Sequence, residues 1–370
     1  FNHGGLPYGW SLYSYGECVY MGKPPSDLLE RSIVTRLPTH FQEVVLLVTD
    51  WCKGHNIRTL LVGLAVATGL FSTTIGMQAV VSDQVLQPVD PARTQVILLG
   101  SGTPFLDQNK VGASVAIITG GVAYLVDLGP GAFLRTVEAA QQGVEALAWP
   151  NRVFFTHLHS DHVLDYADLL WALWWRREDR VVAYGPSGLK ALTDGLRAAY
   201  AEDIRVRTEG LQPVITHGYN SEVHEIDGTF QFEDERVRVT GFPVCHEQQE
   251  AYGYRFETGD RVIVISGDTT YCDSLVEHAR GADLLLHEVF SERGLSAGPD
   301  PPSRRTEDWQ RYHRAAHTSP AQVARVANTV RPGTLVLYHQ LYFGVSDEEL
   351  VEEVRSAGYA GPLVSGQDFD

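Results

Sequence analysis

The sequence predicts an α+β protein built as an αββα sandwich, two mixed β-sheets face to face with helices outside. Three observations carry that expectation. Strands come in a run before the first helix, strand and helix units then alternate, and the order nearly repeats in the second half of the 370 residues.

The first 58 residues fit this plan poorly: they open on Phe1, are rich in Gly, Pro and Tyr, and show no sustained period. An over-extended reading frame, with a start nearer Val48, would explain them. Residues 59–82 are 24 uncharged positions, flanked by Lys53 and Arg58 before and Asp83 after. That length suits a signal peptide or a membrane anchor, and the positive flank would place residues 94–370 outside the cytoplasm. Residues 83–93, with Pro88 and Pro91, read as a linker.

Thereafter the elements are clearer. A strand at 95–99 ends in the tight turn Gly100-Ser101-Gly102-Thr103-Pro104, and strands at 114–119 and 122–127 flank the hairpin signal Gly120-Gly121. A helix at 132–142 precedes a strand at 152–155. The next helix, 162–177, carries Leu170, Trp171, Trp174 and Trp175 at spacings of three and four, a stripe that reads as core before it reads as substrate wall. A helix at 187–202, short strands within 213–244, a hairpin at 252–256 and 262–265, strands at 284–286 and 334–338, and a helix at 319–330 complete the expectation.

Where the strand at 152–155 ends, Thr156-His157-Leu158-His159-Ser160-Asp161-His162 places four metal-binding side chains within six residues. Strand alternation would send His157 and His159 to one cation, while Asp161 and His162, on the first turn of the next segment, face a second. Nitrogen with carboxylate suits zinc, with manganese or iron as substitutes. A second cation needs more donors, and His246, Asp268 and His339 each follow an apolar strand.

Charge narrows the partners. Of 46 acidic and 29 basic residues, 7 and 6 precede Thr94, so residues 94–370 hold 39 acids against 23 bases, a charge of −16. A polyphosphate-gripping face needs a basic patch, so nucleic acid is disfavoured and a small-molecule ester is the expected partner. A second copy of the chain is the remaining partner considered. Cys18, Cys52, Cys245 and Cys272 form no C-x-x-C pair, which argues against a disulfide framework; Cys245 reads as a buried small hydrophobe.

The ordered series Leu99-Gly100-Ser101-Gly102-Thr103-Pro104, Val126-Asp127-Leu128-Gly129, His157-Leu158-His159-Ser160-Asp161-His162, Val244-Cys245-His246, Ser266-Gly267-Asp268-Thr269, Leu286-His287-Glu288, His317-Thr318-Ser319 and Tyr338-His339 resembles the metallo-β-lactamase superfamily. The likeness is to its ribonuclease Z and arylsulfatase-like branch, across roughly residues 94–370. The resemblance implies one zinc held by His157, His159 and His246, another by Asp161, His162 and His339, and Asp268 bridging them. It marks Asp161, His317 and Glu288 as catalytic, with His317 protonating the leaving group and Glu288 fixing its tautomer. Asp127 reads as the acceptor that orients a ligand imidazole.

The family's nucleotide-gripping loop carries a proline and an Arg-Asn pair, whereas residues 105–113 hold neither, and no basic arm separates His162 from His246. The resemblance therefore implies a binuclear zinc hydrolase of phosphodiesters or sulfate esters acting through a metal-bridging hydroxide. Ribonuclease Z, β-lactam or lactone hydrolysis, and a non-catalytic zinc-binding protein follow in that order.

Overall fold

The computed structural model describes residues 12–15, 18–21 and 92–370, apart from 106, 177–179, 212–218 and 298–306. The membrane-span expectation at 59–82 and all but the last two residues of the linker expected at 83–93 lie outside the described residues. The chain divides into two units after Ser82. In the first, β1 (Leu12–Tyr15) and β2 (Cys18–Met21) pair as an antiparallel hairpin.

In the second unit, apolar alternation decides how two sheets meet. In β4 (Ser114–Thr119), Val115 and Ile117 face one core and Ala116 and Ile118 another, so both faces are covered. The first sheet runs β3 (Gln95–Gly100), β4, β5 (Val122–Val126), β6 (Arg152–Phe154), β7 (Val182–Gly185), β8 (Glu222–Glu225), and is parallel from β5 onward. The second consists of β9 (Phe230–Glu233), β10 (Val237–Pro243), β11 (Tyr252–Thr258), β12 (Val262–Ile265), β13 (Leu284–Phe290), β14 (Thr334–Leu341) and β15 (Leu363–Ser365). It is parallel from β12 onward.

Between the sheets, Val115, Ile117 and Phe154 meet Val239, Tyr254 and Ile265. Outside the first lie α1 (Ala132–Gln141), α2 (Ser160–Val163), α3 (Tyr166–Arg176), α4 (Leu189–Ala199) and α5 (Ala201–Glu209), of which α1 to α4 share its outer core. The later helices are α6 (Asp273–His278), α7 (Glu292–Ala297), α8 (Glu307–Ala316), α9 (Pro320–Val330) and α10 (Asp347–Ser356). Leu275 of α6, Val323 of α9 and Leu350 of α10 pack on the second sheet's outer face. The expected four-layer sandwich is present.

Three differences have physical causes. The helix expected at 162–177 breaks between α2 and α3, because Asp165 turns to accept the Phe133 N–H at the start of α1 (2.9 Å). The helix expected at 187–202 ends at Ala199 and a second starts at Ala201, on either side of Tyr200. Cys245 and Cys272, expected to stay apart, form a disulfide with Cα atoms 5.7 Å apart. Sequence spacing missed it because the fold, not local order, brings the turn after β10 to the start of α6. The tryptophan stripe is mainly core: Trp174 is buried, Trp171 packs beside it, and Trp175 is exposed under the Arg207 guanidinium (4.3 Å).

Candidate metal centre

The parallel strands of both sheets end at one edge, and their carboxyl ends carry the functional side chains. Asp127 follows β5 with φ 59°, in the left-handed region where aspartate is tolerated better than most residues. Its carboxylate accepts the Thr156 N–H (2.7 Å), the Thr156 hydroxyl (2.8 Å) and His162 Nδ1–H (2.8 Å). One side chain thus clamps the start of the histidine loop and sets the His162 tautomer, leaving Nε2 to face inward. The same turn requires Gly129, where a Cβ would stand 2.1 Å from the Asp161 carbonyl oxygen.

Three imidazoles converge beside it. His157 Nε2 lies 2.9 Å from His159 Nδ1, which lies 3.3 Å from His246 Nε2. His246 donates Nδ1–H to the Ala316 carbonyl (2.8 Å), so its Nε2 lone pair faces the other rings. Next to this trio, Asp161 Oδ2 sits 3.4 Å from His162 Nε2 and 3.2 Å from His339 Nε2. Asp268 lies between the groups, 3.9 Å from His157, 3.5 Å from His162 and 3.4 Å from His339. His162 Nε2, Asp268 Oδ1 and His339 Nδ1 are buried with no hydrogen-bond partner. Burying such atoms unpaired costs about 1–3 kcal/mol each, a cost that a divalent cation would remove. The donor chemistry therefore fits divalent metal ions, and the seven expected donors all gather here.

Burial and charge act on these groups in opposite senses. Burial opposes ionisation of Asp268, but the imidazoles of His339 and His162 outweigh it and hold the carboxyl well below its usual range. Burial likewise opposes a charged His162, yet the carboxylates of Asp268, Asp127 and Asp161 raise it well above the ordinary value. His157 goes the other way, lowered by burial and the neighbouring His162.

His317 and Glu288 form a buried pair, with His317 Nδ1 3.1 Å from Glu288 Oε1. The helix after His317 is capped by Ser319, whose side chain accepts the Gln322 N–H in a capping box, so His317 and Thr318 are not its cap. Thr318 instead donates its hydroxyl to the Thr269 carbonyl, and the Thr269 N–H donates to Glu288 (2.9 Å). Sequence reasoning missed Thr156, Thr269 and Thr318 in these bridging roles; their only signal was adjacency to candidate ligands. His287, the residue next to Glu288 and so on the alternate strand position, donates Nδ1–H to the Glu288 carbonyl (2.7 Å) and joins none of the donor groups.

A family model described as the beta-lactamase superfamily domain matches residues 123–340, and the chain belongs to that superfamily. Ribonuclease Z of Mycobacterium bovis (strain BCG / Pasteur 1173P2) is 31% identical over 281 residues, 74% of this chain and 96% of that relative. Among solved structures, the metallo-beta-lactamase fold protein YhfI from Bacillus subtilis is 19% identical with a TM-score of 0.55, covering 75% of this chain and 98% of its own. The short form of human tRNase Z is 20% identical with a TM-score of 0.50 and the same coverages, 75% and 98%. These two support the fold. The family match and the ribonuclease Z relative mark the chain as a metal-dependent hydrolase.

The expectation of export is corrected by the same match. The curated relatives that the chain matches are named ribonuclease Z. Among the described residues, which leave out 59–82, no helix is long and apolar enough to cross a membrane.

Proposed function

We propose that the chain is a phosphodiesterase that expels an alkoxide, with RNA as its first substrate class and precursor transfer RNA as the specific substrate to test. The carrying observation is the buried Glu288–His317 pair beside the donor cluster. Two zinc ions, held by His157, His159 and His246 and by Asp161, His162 and His339 with Asp268 shared, would activate water and neutralise charge on the phosphoryl group.

The chain's own residues supply the proton. Burial and then the negative charge of Asp268 push the Glu288 carboxyl well above its ordinary value. Burial pushes His317 down to about 4, so its ring is neutral there. With Nδ1 held against Glu288, Nε2 is the ring atom left to serve the leaving oxygen. A ribose alkoxide is far more basic than a phenolate and gains most from this proton donor. That argument favours phosphodiesters over aryl sulfates, and the name of the 31% identical relative supports it.

A second reading, hydrolysis of small phosphodiesters, is favoured by one observation: a charge of −16 over residues 94–370 with no arginine in the loop at 105–113. Metal-loaded protein should be given precursor transfer RNA and bis-aryl phosphate at matched concentration. Cleavage mapped to the 3′ side of the discriminator nucleotide, and lost roughly 10²–10⁴-fold in His317→Ala, would support the RNA reading. Turnover of the bis-aryl ester alone, with little loss in that variant, would replace it by the second.

A further inference from the structure

Helix α8 runs directly into His317, and one side of it carries Trp309, Tyr312 and His313, three and four residues apart. The Trp309 ring lies 3.9 Å from that of His313, which in turn lies 4.9 Å from Phe343, just beyond β14 and His339. Phe105, on the turn after β3, meets Trp309 and Phe343 edge-on at 6.2 and 5.9 Å. Tyr312 closes the row against His317, ring centroids 6.2 Å apart. Three separate segments thus converge on one aromatic wall.

Two of its members are not core. Phe105 is 41% exposed beside the partly buried Trp309 and Phe343, and Tyr312 is 39% exposed beside the buried rings of His313 and His317. Its ring contact with His317, which faces Asp268 at 3.9 Å, sets Tyr312 beside the metal centre. A half-open wall of rings, continuous with the proton donor and beside convergent polar groups, has the make-up of a small-molecule or nucleotide subsite. The tryptophans of α3, the other aromatic stripe in the sequence, have their ring partners elsewhere, in Tyr200 and Arg207.

We infer that this wall is the subsite for a planar ring on the leaving-group side of the substrate, with Tyr312 as the stacking residue that selects ring-bearing alcohols. The inference rests on the phosphodiesterase reading, because it is His317 as proton donor that defines the leaving-group side. A nucleobase and a simple aryl group share the required flat π-face, and stacking one base on an aromatic side chain alters affinity by roughly tenfold or more.

Binding separates this from catalysis. Metal-loaded wild type, Tyr312→Ala and Tyr312→Phe would be titrated calorimetrically with adenosine 3′-monophosphate, benzyl phosphate and cyclohexylmethyl phosphate. The wild type should hold the two ring-bearing ligands at least about tenfold tighter than the saturated one. Tyr312→Ala should bring that ratio close to one, and Tyr312→Phe should keep it. Preference for the adenosine ligand alone would identify the ring as a nucleobase; equal preference would identify any flat ring. A ratio untouched in Tyr312→Ala, or lost equally in Tyr312→Phe, overturns the inference, the latter because the hydroxyl would then be the determinant. If the ratio behaves as expected while no phosphodiester is hydrolysed, the functional reading fails and the subsite stands.

Discussion

The two sheets contribute to the metal centre in different ways. The first supplies Asp127 from one strand end, and His157, His159, Asp161 and His162 from one loop and the short helix α2 that continues it, braced as a unit by the Asp127 carboxylate. The second supplies His246, Asp268, Glu288, His317 and His339 one at a time, from five separate segments. A compact loop can hold its own geometry through one clamp. Dispersed residues have to be held by the sheet, by crosslinks between neighbouring loops and by the centre itself.

Asp268 tests that contrast most severely, since it is the residue of the second sheet that reaches toward both donor groups. Asp268→Ala should lower metal content from about two per chain toward one and reduce turnover to background. Elemental analysis after dialysis, alongside a hydrolysis assay, reads both. Full activity in a stable single-metal protein would show that the second sheet's contribution is dispensable.

Asp127 is the corresponding test of the first sheet. Asp127→Asn keeps the shape, but it cannot accept from His162, the Thr156 hydroxyl and the Thr156 N–H in the same way. Removing such an outer partner costs roughly 10–100-fold in metal affinity. Competition with a chelator should show that weakening, with the stoichiometry intact at saturating metal. No change in affinity would mean that the loop is set by its backbone alone.

The same contrast explains what was legible in the sequence. His157-Leu158-His159-Ser160-Asp161-His162 announces a metal site unaided, because four donors in six positions have no ordinary structural reason. His246, Asp268 and His339 each look like a polar residue closing an apolar strand; the need for further donors made them candidates, and resemblance to a known ordered series assigned them their places. The sheets were legible from period-two apolar runs, as in Ser114–Thr119. Helix α8 was not: Glu307–Ala316 is polar on most faces, so its role in bringing Trp309 and Tyr312 to His317 had no sequence signal. The pairing of Cys245 with Cys272 was illegible for a related reason, since it depends on two loops 27 residues apart meeting in space.

That disulfide gives the gentlest test. Cys245 precedes His246 and Cys272 lies four residues after Asp268, so the bond ties together two loops that carry second-sheet donors. It is not their only tie: the Thr270 N–H donates to the Cys245 carbonyl (2.8 Å), and the Cys245 N–H donates to the Thr269 hydroxyl (3.0 Å). Position is therefore specified twice, and the covalent bond adds mainly stability, about 2–4 kcal/mol for a loop of this size. Cys272→Ser should lower Tm by roughly 5–10 °C while metal content stays near two per chain and kcat within about threefold of wild type. Differential scanning calorimetry and metal analysis on the same preparation decide it. If metal content falls with Tm, the hydrogen bonds do not hold the loops, and the second sheet depends on the covalent tie where the first depends on one carboxylate.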